Sequence, residues 1–267
     1  MWPVKALKLA IVAAVLGWMS DARAQTPANL ATPKCDIAVV ASGKAAWTRD
    51  GRTLVLEDGR EVRLAGIEVP PLESSAGAQA KAALQGLISG KMLTFKAAAA
   101  THDRYGRLVA LAFDGDQSIQ NAMLAGGFAQ VSSQVYGLAG NCTRELLNLE
   151  QQARDNGRGM WSSADAGPLP AAQAQAIAAR RGHFALVEGQ VLSVRESGST
   201  IYLNFGRRYT RDFSVTILRR NQRVFSAVLG IDPKQLEGRR IRVRGVIEQR
   251  GGPIMEASRP EQIELAN

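Results

Sequence analysis

Apolar and polar positions in the first half of the chain alternate as in short strands, and in three places they repeat with the period of a helix. Asp-Gly pairs at 50–51 and 58–59, which favour tight turns, separate the first strands from one another. The pattern predicts strands over residues 45–47, 53–57, 61–67, 92–97 and 108–113, and helices over 75–89, 118–125 and 144–156. Five strands with helices between and after them favour an α+β domain built on a small five-stranded barrel.

The second half of the chain is strand-rich, with one helical or irregular segment at residues 222–229. Alternation and glycine turns predict strands over 185–194, 200–205, 213–217, 239–247, 254–257 and 263–265. This pattern indicates a second small all-β barrel. Residues 164–181 are rich in Ala, Pro and Gln and are predicted to form a linker. The predicted domains are therefore residues 36–163 and 182–267.

The first 24 residues have the pattern of a secretory signal peptide. Lys5 and Lys8 precede an apolar run over residues 9–19, and Ala22 and Ala24 stand three positions and one position before the expected cleavage point. The run is too short to span a bilayer, so no membrane span is expected after cleavage. The alternative is an uncleaved anchor. The sequence thus predicts an exported protein, either periplasmic or secreted.

Export would place both cysteines of the chain, Cys35 and Cys142, in an oxidising compartment. They could form one disulfide that closes a long loop, and the alternative is two free, buried thiols. Two His and two Cys are too few for a zinc enzyme built on a His/Cys cluster. The composition, 46% hydrophobic and 21% charged, is that of an ordinary folded protein.

Positive charge is concentrated in the second half of the chain. Residues 25–169 carry 14 basic and 14 acidic side chains, whereas residues 170–267 carry 16 basic and 9 acidic ones, a net charge of +7. Fifteen of those 16 basic residues are arginine. Because the guanidinium group offers a planar fork of donors that matches phosphate, this preference indicates an anionic partner.

Five motifs in the first domain resemble those of the staphylococcal nuclease (thermonuclease-like) family. The match covers about residues 36–163 and implies an OB-type five-stranded barrel with about three helices. The motifs are Asp50-Gly51-Arg52-Thr53, residues 62–70 (VRLAGIEVP), Asp103-Arg104-Tyr105-Gly106-Arg107-Leu108, residues 121–129 (NAMLAGGFA) and Gly159-Met160-Trp161.

The resemblance also implies a chemistry. Members of the family are calcium-dependent phosphodiesterases in which two carboxylates hold the metal, a Glu activates water and two arginines grip the phosphate. By position these arginines are Arg63 and Arg107, the expected catalytic pair. Two guanidinium forks would neutralise the charge that grows on the phosphate in the transition state.

Four positions depart from the family pattern. Arg52 stands where a metal-binding Asp is expected, Glu68 replaces a second Asp, Val69 replaces a Thr, and Pro71 replaces the general-base Glu. A guanidinium about 4 Å from a dication would be repelled by ~8 kcal/mol at an effective dielectric constant of about 20. Arg52 in the cleft is therefore incompatible with the calcium site of the family.

Two acidic residues could replace the lost ligands. Asp50 lies two residues before Arg52 and could reach a metal after a local shift, and Glu73 could serve as the base if the loop after Pro71 is remodelled. Calcium thus remains possible by resemblance, with Glu68 as the retained carboxylate. The favoured interpretation is a calcium-free phosphate pocket formed by Arg52, Arg63 and Arg107.

The second domain resembles the OB-type C-terminal extensions of some bacterial thermonuclease-like proteins. Arg240, Arg242 and Arg244 alternate with apolar residues and share one strand face, about 6.7 Å apart, which is close to the phosphate spacing of a nucleic acid strand. Tyr202 could be exposed and stack on a base. This predicts a face that binds nucleic acid, preferably single-stranded, and the alternative is a solvated sheet face.

Three hypotheses for function follow. The favoured one is an exported binder of nucleic acid or phosphate with a degenerate calcium site and weak or absent phosphodiester hydrolysis. The second is an active calcium-dependent nuclease that uses Glu68 with Asp50 or Glu73. The third is a non-enzymatic envelope interaction module whose basic barrel contacts another protein or an anionic glycolipid.

Overall fold

The computed structural model describes residues 37–134, 140–163 and 167–266. The predicted signal peptide, residues 1–24, and Cys35 lie outside the described residues. The disulfide between Cys35 and Cys142 stays a prediction, because only Cys142, which is buried, belongs to those ranges. Within the same ranges, no helix combines the length and the apolarity needed to cross a bilayer.

The first domain contains a closed barrel of five strands. The described residues of this domain form eight strands, of which β1, β2, β3, β5 and β6 make the barrel. The strands are β1 (Ala38–Asp50), β2 (Thr53–Leu56), β3 (Glu61–Leu64), β4 (Ile67–Glu68), β5 (Met92–His102), β6 (Leu108–Asp114), β7 (Gln117–Ser118) and β8 (Gln130–Val131), and the helices are α1 (Ser75–Ile88), α2 (Ile119–Ala125) and α3 (Gly140–Asp155). The barrel order is β3-β2-β1-β5-β6, and a parallel pairing of β3 with β6 closes it. The predicted OB-type fold is confirmed.

Local sequence explains two features of this barrel. Asp50 ends β1 and accepts a hydrogen bond from the backbone N–H of Arg52 at 2.8 Å, which fixes the tight turn into β2. The single strand predicted over residues 61–67 is instead divided into β3 and β4, because Gly66 adopts a φ of +77° that turns the chain. The turn carries Glu68 out of the barrel, to pair with Gln130 in β8.

Helix α1 packs on the barrel through residues spaced three or four apart, since Gly77, Ala80, Leu84 and Ile88 are its buried positions. It begins after Ser74, whose hydroxyl oxygen accepts a hydrogen bond from the backbone N–H of Gly77 at 3.0 Å. A Cβ atom at Gly77 would lie 2.0 Å from the carbonyl oxygen of Pro71. The helix therefore holds the segment at Pro71 against its first turn.

The second domain repeats the barrel topology of the first. Its strands are β9 (Leu169–Pro170), β10 (Phe184–Gln190), β11 (Ser193–Ser197), β12 (Thr200–Asn204), β13 (Ser214–Leu218), β14 (Arg240–Arg250), β15 (Gly252–Glu256) and β16 (Ile263–Leu265), and its helices are α4 (Ala174–Ala178) and α5 (Gln222–Leu229). The order is β11-β12-β13-β15-β14-β10, with β13 and β15 parallel. Because β10 and β11 follow one another along the chain, the ring closes through one bent strand, as the OB-like prediction requires.

The helical or irregular segment predicted at residues 222–229 is the helix α5, which lies between the third and fourth barrel strands and buries Phe225 completely, so the second domain is not all-β. The boundary of the domain also differs from the prediction. The predicted linker, residues 164–181, contributes β9, which pairs with β10, and the buried side chains of Ala171 and Ile177. Apolar side chains within an Ala- and Pro-rich segment thus attach half of it to the second core.

A buried cluster of charges joins the two barrels. Arg244 of β14 is 1% exposed and donates to both carboxylate oxygens of Glu150 in α3, at 2.7 and 3.1 Å. Arg244 also donates to the carbonyl oxygen of Val131 at 3.0 Å and pairs with Glu264 of β16. Arg154 of α3 pairs with Glu150 at 2.8 Å and with Glu264 at 3.5 Å. The second barrel is therefore fixed to the helix that also supports β8.

Arg244 and Glu264 favour each other's ionised form in spite of their burial. Burial disfavours the cation of Arg244, but the attraction of Glu150 and Glu264 raises its pKa above the ordinary value of arginine. Burial likewise opposes ionisation of Glu264, but Arg244, and to a smaller extent Arg154 and Arg242, lower the pKa of that carboxyl below 4.5. Removal of one member would leave its partner buried and uncompensated.

We expect Arg244→Met to lower the free energy of unfolding by about 3–5 kcal/mol, because it leaves Glu150 buried without its main cation. Arg240→Met is the matched control, since Arg240 lies on the same strand and pairs with Glu188, but its side chain is 55% exposed. This exposed pair should contribute about 1 kcal/mol or less. Urea unfolding measures both values, and equal losses would contradict the account.

The lowered pKa of Glu264 predicts a pH dependence. The ionised carboxylate contributes its stability above the unfolded pKa of about 4.5 and loses it as the pH falls through the lower folded pKa. Glu264→Gln should therefore reduce the free energy of unfolding at neutral pH, and the difference from wild type should shrink as the pH falls below 4.5. A difference that stays constant over this range would show that the charge of Glu264 contributes nothing.

Candidate functional site

Three elements of the first domain bring Arg52, Arg63 and Glu68 together. Arg52 lies in the turn between β1 and β2, and Arg63 lies on β3, where it pairs with Thr53 of β2. The backbone N–H of Leu64 donates to the carbonyl oxygen of Arg52 at 2.8 Å, which holds the turn beside β3. The Gly66 turn then brings Glu68 to the same place.

The carboxylate of Glu68 lies between the two guanidinium groups. Its Oε2 pairs with Arg52, and its Oε1 accepts from Nη2 of Arg63 at 3.3 Å and from the hydroxyl of Ser132 at 3.3 Å. The side chains of Arg52, Glu68 and Arg63 are between 16 and 21% exposed. The Arg52 side chain therefore points into the cleft and takes part in its polar network.

The cleft has a volume of about 690 Å³, and both domains line it. Its lining includes Arg104 from the turn before β6, and Arg180 and His183 from the segment before β10. Glu68 is the one acidic side chain among the described lining residues, against four arginines. Arg104 and Arg180 were not among the predicted site residues, because the resemblance assigns no role to Arg104 within its motif and Arg180 lies in the predicted linker.

Arg107 does not line this cleft. Its Nε donates to Oδ2 of Asp103 at 2.8 Å, and its guanidinium lies 5.1 Å from the ring centroid of Tyr105. It lines a separate depression together with Arg49 and Arg60. The structure therefore does not bring Arg52, Arg63 and Arg107 together around one pocket, contrary to the prediction. Arg104 lines the cleft instead of Arg107.

The cause is the turn that Asp103 organises. Its Oδ1 accepts from the backbone N–H groups of Tyr105 and Arg107, at 2.9 and 3.1 Å. Burial opposes the charge of Asp103, but hydrogen bonds from the side chain and backbone of Arg107 and from the backbone of Tyr105 lower its pKa below 3.8. The ionised carboxylate is thus placed to hold the Arg107 side chain against its own turn.

Neither acidic residue suggested as a replacement reaches the cleft. The Asp50 carboxylate accepts from the backbone N–H of Arg52 at 2.8 Å and from the Thr53 hydroxyl at 3.2 Å, so it serves the turn. Glu73 is exposed and is not among the residues that line the cleft. Val69 and Pro71 do line it, and neither side chain can accept a proton.

Comparison with known proteins agrees with the motifs and the barrel. A family model described as staphylococcal nuclease homologue matches residues 61–163. Two curated proteins named "Uncharacterized endonuclease", from Escherichia coli O157:H7 and Escherichia coli, are each 30% identical to the chain over 132 residues, which cover 48% of this chain and 80% of the relative. The chain belongs to the staphylococcal nuclease family. The family match supports a nuclease-like function for the first domain, and it ends before β9.

The residues that line the cleft of this family member do not fit a calcium ion. Calcium takes six to eight oxygen ligands, several of them anionic. Among the described lining residues the cleft offers one carboxylate, and that carboxylate already accepts from two guanidinium groups and a hydroxyl. Among the residues that the structure describes, no three His, Cys, Asp or Glu side chains are grouped closely enough to hold a metal.

The prediction that Arg240, Arg242 and Arg244 form an exposed nucleic-acid face on the second domain is wrong. Arg244 is buried, and Arg242 pairs with Glu188 at 2.7 Å and with Glu264 at 3.3 Å. Arg240 is exposed but pairs with Glu188 at 2.8 Å. Alternation correctly placed the three arginines on one face, but it could not show that α3 covers that face.

Tyr202 does not join these arginines. It lies on β12 and lines a depression together with Arg195, Tyr209 and Arg250. The hypothesis of a stacking tyrosine therefore stays a prediction, and its arginine partners differ from those that the sequence suggested.

We expect calcium to leave the thermal unfolding midpoint of the wild-type protein unchanged up to roughly ten times the ~1 mM dissociation constant of weak protein calcium sites. Arg52→Asp should gain a calcium-dependent rise, because it removes a cation and places a second carboxylate beside Glu68. Magnesium, which demands a tighter octahedral shell, is the control for general ionic effects. A rise in the unfolding midpoint of the wild-type protein with calcium but not magnesium would contradict the conclusion that the cleft does not fit calcium.

Proposed function

We propose that the nuclease domain binds the phosphodiester backbone of nucleic acid in the Arg52–Glu68–Arg63 cleft without calcium, and that it hydrolyses this backbone weakly or not at all. The observation that carries the proposal is the pairing of Arg52 with Glu68 inside the cleft. A guanidinium thus stands where the resemblance implies a metal ligand.

The charge of the cleft supports binding of a phosphate. Four arginines line it, and Glu68 balances one of them. Glu68 also keeps Arg52 and Arg63 side by side, so their donors are ordered before a ligand enters. A phosphate oxygen could accept from both guanidinium groups, which form shorter and stronger hydrogen bonds with anions than neutral donors do.

The same residues offer little support for hydrolysis. Attack on a phosphodiester needs a group that orients water and takes its proton. Proline occupies position 71, Glu73 lies outside the cleft, and the oxygens of Glu68 already accept from two guanidinium groups and from Ser132. A nucleophilic water would therefore find no free carboxylate among the described lining residues.

The alternative is an active calcium-dependent nuclease that uses Glu68 together with Asp50 or Glu73. Membership of the family and the endonuclease name of both relatives favour it. It requires the Asp50 carboxylate to leave its turn, or the segment at Glu73 to move into the cleft.

We also propose that the protein is exported to the periplasm or secreted, with Cys35 and Cys142 joined in a disulfide. The charged, apolar and small-residue pattern of residues 1–24 supports export.

Binding of a fluorescent DNA oligonucleotide, followed by anisotropy in the presence of EDTA, tests the proposal. Arg52→Ala combined with Arg63→Ala should weaken binding roughly tenfold or more and reduce its salt dependence, because two phosphate contacts are lost. Glu68→Gln should strengthen binding several-fold, because it removes a competing anion while keeping a hydrogen-bonding side chain. Arg60→Ala is the matched control, since Arg60 is exposed and pairs with Asp58 away from the cleft.

Cleavage of single-stranded and duplex DNA, measured with and without calcium, separates the proposal from its alternative. We expect no cleavage that calcium stimulates and EDTA abolishes. Strong calcium-dependent cleavage by the wild-type protein would establish the active nuclease instead.

A further inference from the structure

The outer surface of β11, β12 and β13 in the second barrel is polar and carries a tyrosine at its centre. Ile201, Leu203, Val215 and Ile217 are completely buried on the inner side of these strands. Because successive side chains point to opposite faces, Tyr202 lies on the outer side. In the register of the sheet Tyr202 pairs with Arg195 on one neighbour and with Thr216 on the other.

The surface around Tyr202 forms a depression of about 400 Å³, which we call the Tyr202 face. Its lining includes Arg195, Tyr202, Asn204, Tyr209, Arg250 and Pro253, and no acidic side chain is among the described lining residues. Tyr209 is 77% exposed. Two aromatic rings and two guanidinium groups therefore meet on one concave surface.

The loop that carries Tyr209 is basic, and its arginines line a neighbouring depression together with residues 172–176. Between β12 and β13 it contains Arg207, Arg208 and Arg211 against a single carboxylate, Asp212. Asp212 accepts from the backbone N–H of Arg208 at 2.9 Å, so it holds the loop in shape. One exposed aromatic side chain, Tyr209, thus lies among three exposed arginines.

Hydrogen bonds between neighbouring side chains hold the polar residues of the Tyr202 face in place. Oδ1 of Asn204 accepts from the Ser214 hydroxyl at 3.1 Å, and its Nδ2 donates to the Ser193 hydroxyl at 3.3 Å. Two carboxylates lie near the edges of the Tyr202 face. Glu256 of β15 is in register with Thr216, two strands from Tyr202, and Glu248 pairs with Arg250 at 2.9 Å. Arg195 has no salt bridge among the described residues, and it is the cation directly across from Tyr202.

We propose that the Tyr202 face is a second binding site, specific for single-stranded nucleic acid, separate from the cleft of the nuclease domain. Tyr202 and Tyr209 stack on successive bases, and Arg195 and Arg250, which line the same face, contact the phosphates. Base stacking on an aromatic ring needs an exposed base face, which a duplex hides within its own stack. The position also fits, because OB folds bind strands over their second and third strands and the turn between the fourth and fifth, here β12, β13 and residues 250–252.

The site does not depend on the function proposed for the cleft. The lining of the Tyr202 face shares no residue with the lining of the cleft. Variants of one site therefore leave the other intact, and binding at each can be measured by itself.

The experiment measures anisotropy of a fluorescent homothymidylate of about 12 nucleotides, within the ~4–16 nucleotides that an OB fold covers. It uses the full chain without calcium. Tyr202→Ala and Tyr209→Ala should each weaken binding about fivefold or more, whereas Tyr202→Phe and Tyr209→Phe should stay within about twofold of wild type because the ring is kept. Tyr209 is so exposed that its substitution leaves folding intact, which keeps the test valid even if Tyr202→Ala is unstable.

The same variants are measured against a duplex of equal length and against heparin, and again with Arg52→Ala and Arg63→Ala present. Loss confined to the single strand, and persisting in the cleft variant, supports the site. Equal losses for single strand, duplex and heparin would show a general polyanion surface and overturn the proposal. Phe variants as weak as the Ala variants would overturn stacking as its basis.

Discussion

A carboxylate held between two guanidinium groups determines the chemistry of the nuclease cleft. Glu68 bonds to Arg52 on one oxygen and to Arg63 on the other, so the one anion of the described lining is already neutralised by protein cations. A dication there would have to displace Arg52 and approach the remaining arginines, at a cost of several kcal/mol per like-charged contact. An anion meets the opposite situation, because the donors are in place and the net charge is favourable. The cleft thus keeps the fold of the family, and its charges support the proposed binding of an anion in place of a cation.

The second barrel takes part in this arrangement because it is fixed to the first. Arg244 crosses from β14 to Glu150 of α3, and Arg154 and Glu264 complete the cluster. A small apolar cluster of Ala153, Trp161 and Leu186 packs beside it. The contact places Arg180 and His183 on the edge of the nuclease cleft and leaves the Tyr202 face open elsewhere on the barrel. The chain thus uses the buried Arg244 to join its domains and keeps Arg195 and Arg250 exposed on the Tyr202 face.

Features set by neighbours in sequence were predictable, and features set by distant contacts were not. The Asp50-Gly51 turn and the spacing of Ala80, Leu84 and Ile88 are local, so the first barrel and α1 were predicted correctly. The burial of Arg244 depends on Glu150, 94 residues away, and a pattern of alternation carries no information about that contact. The prediction that Arg107 lines the cleft was wrong for a different reason. Its family position was recognised, but the hydrogen bonds of Asp103 direct the Arg107 side chain into another depression.

The central claim is that the cleft binds phosphodiester anions without needing calcium. If two ligands share a site cooperatively, each must raise the affinity of the other by the same factor. Isothermal titration of a short deoxydinucleotide into the wild-type protein, in EDTA and again in calcium, measures that factor directly. The account predicts the same affinity in both buffers and its loss in Arg52→Ala. Binding that appears only when calcium is added would contradict it.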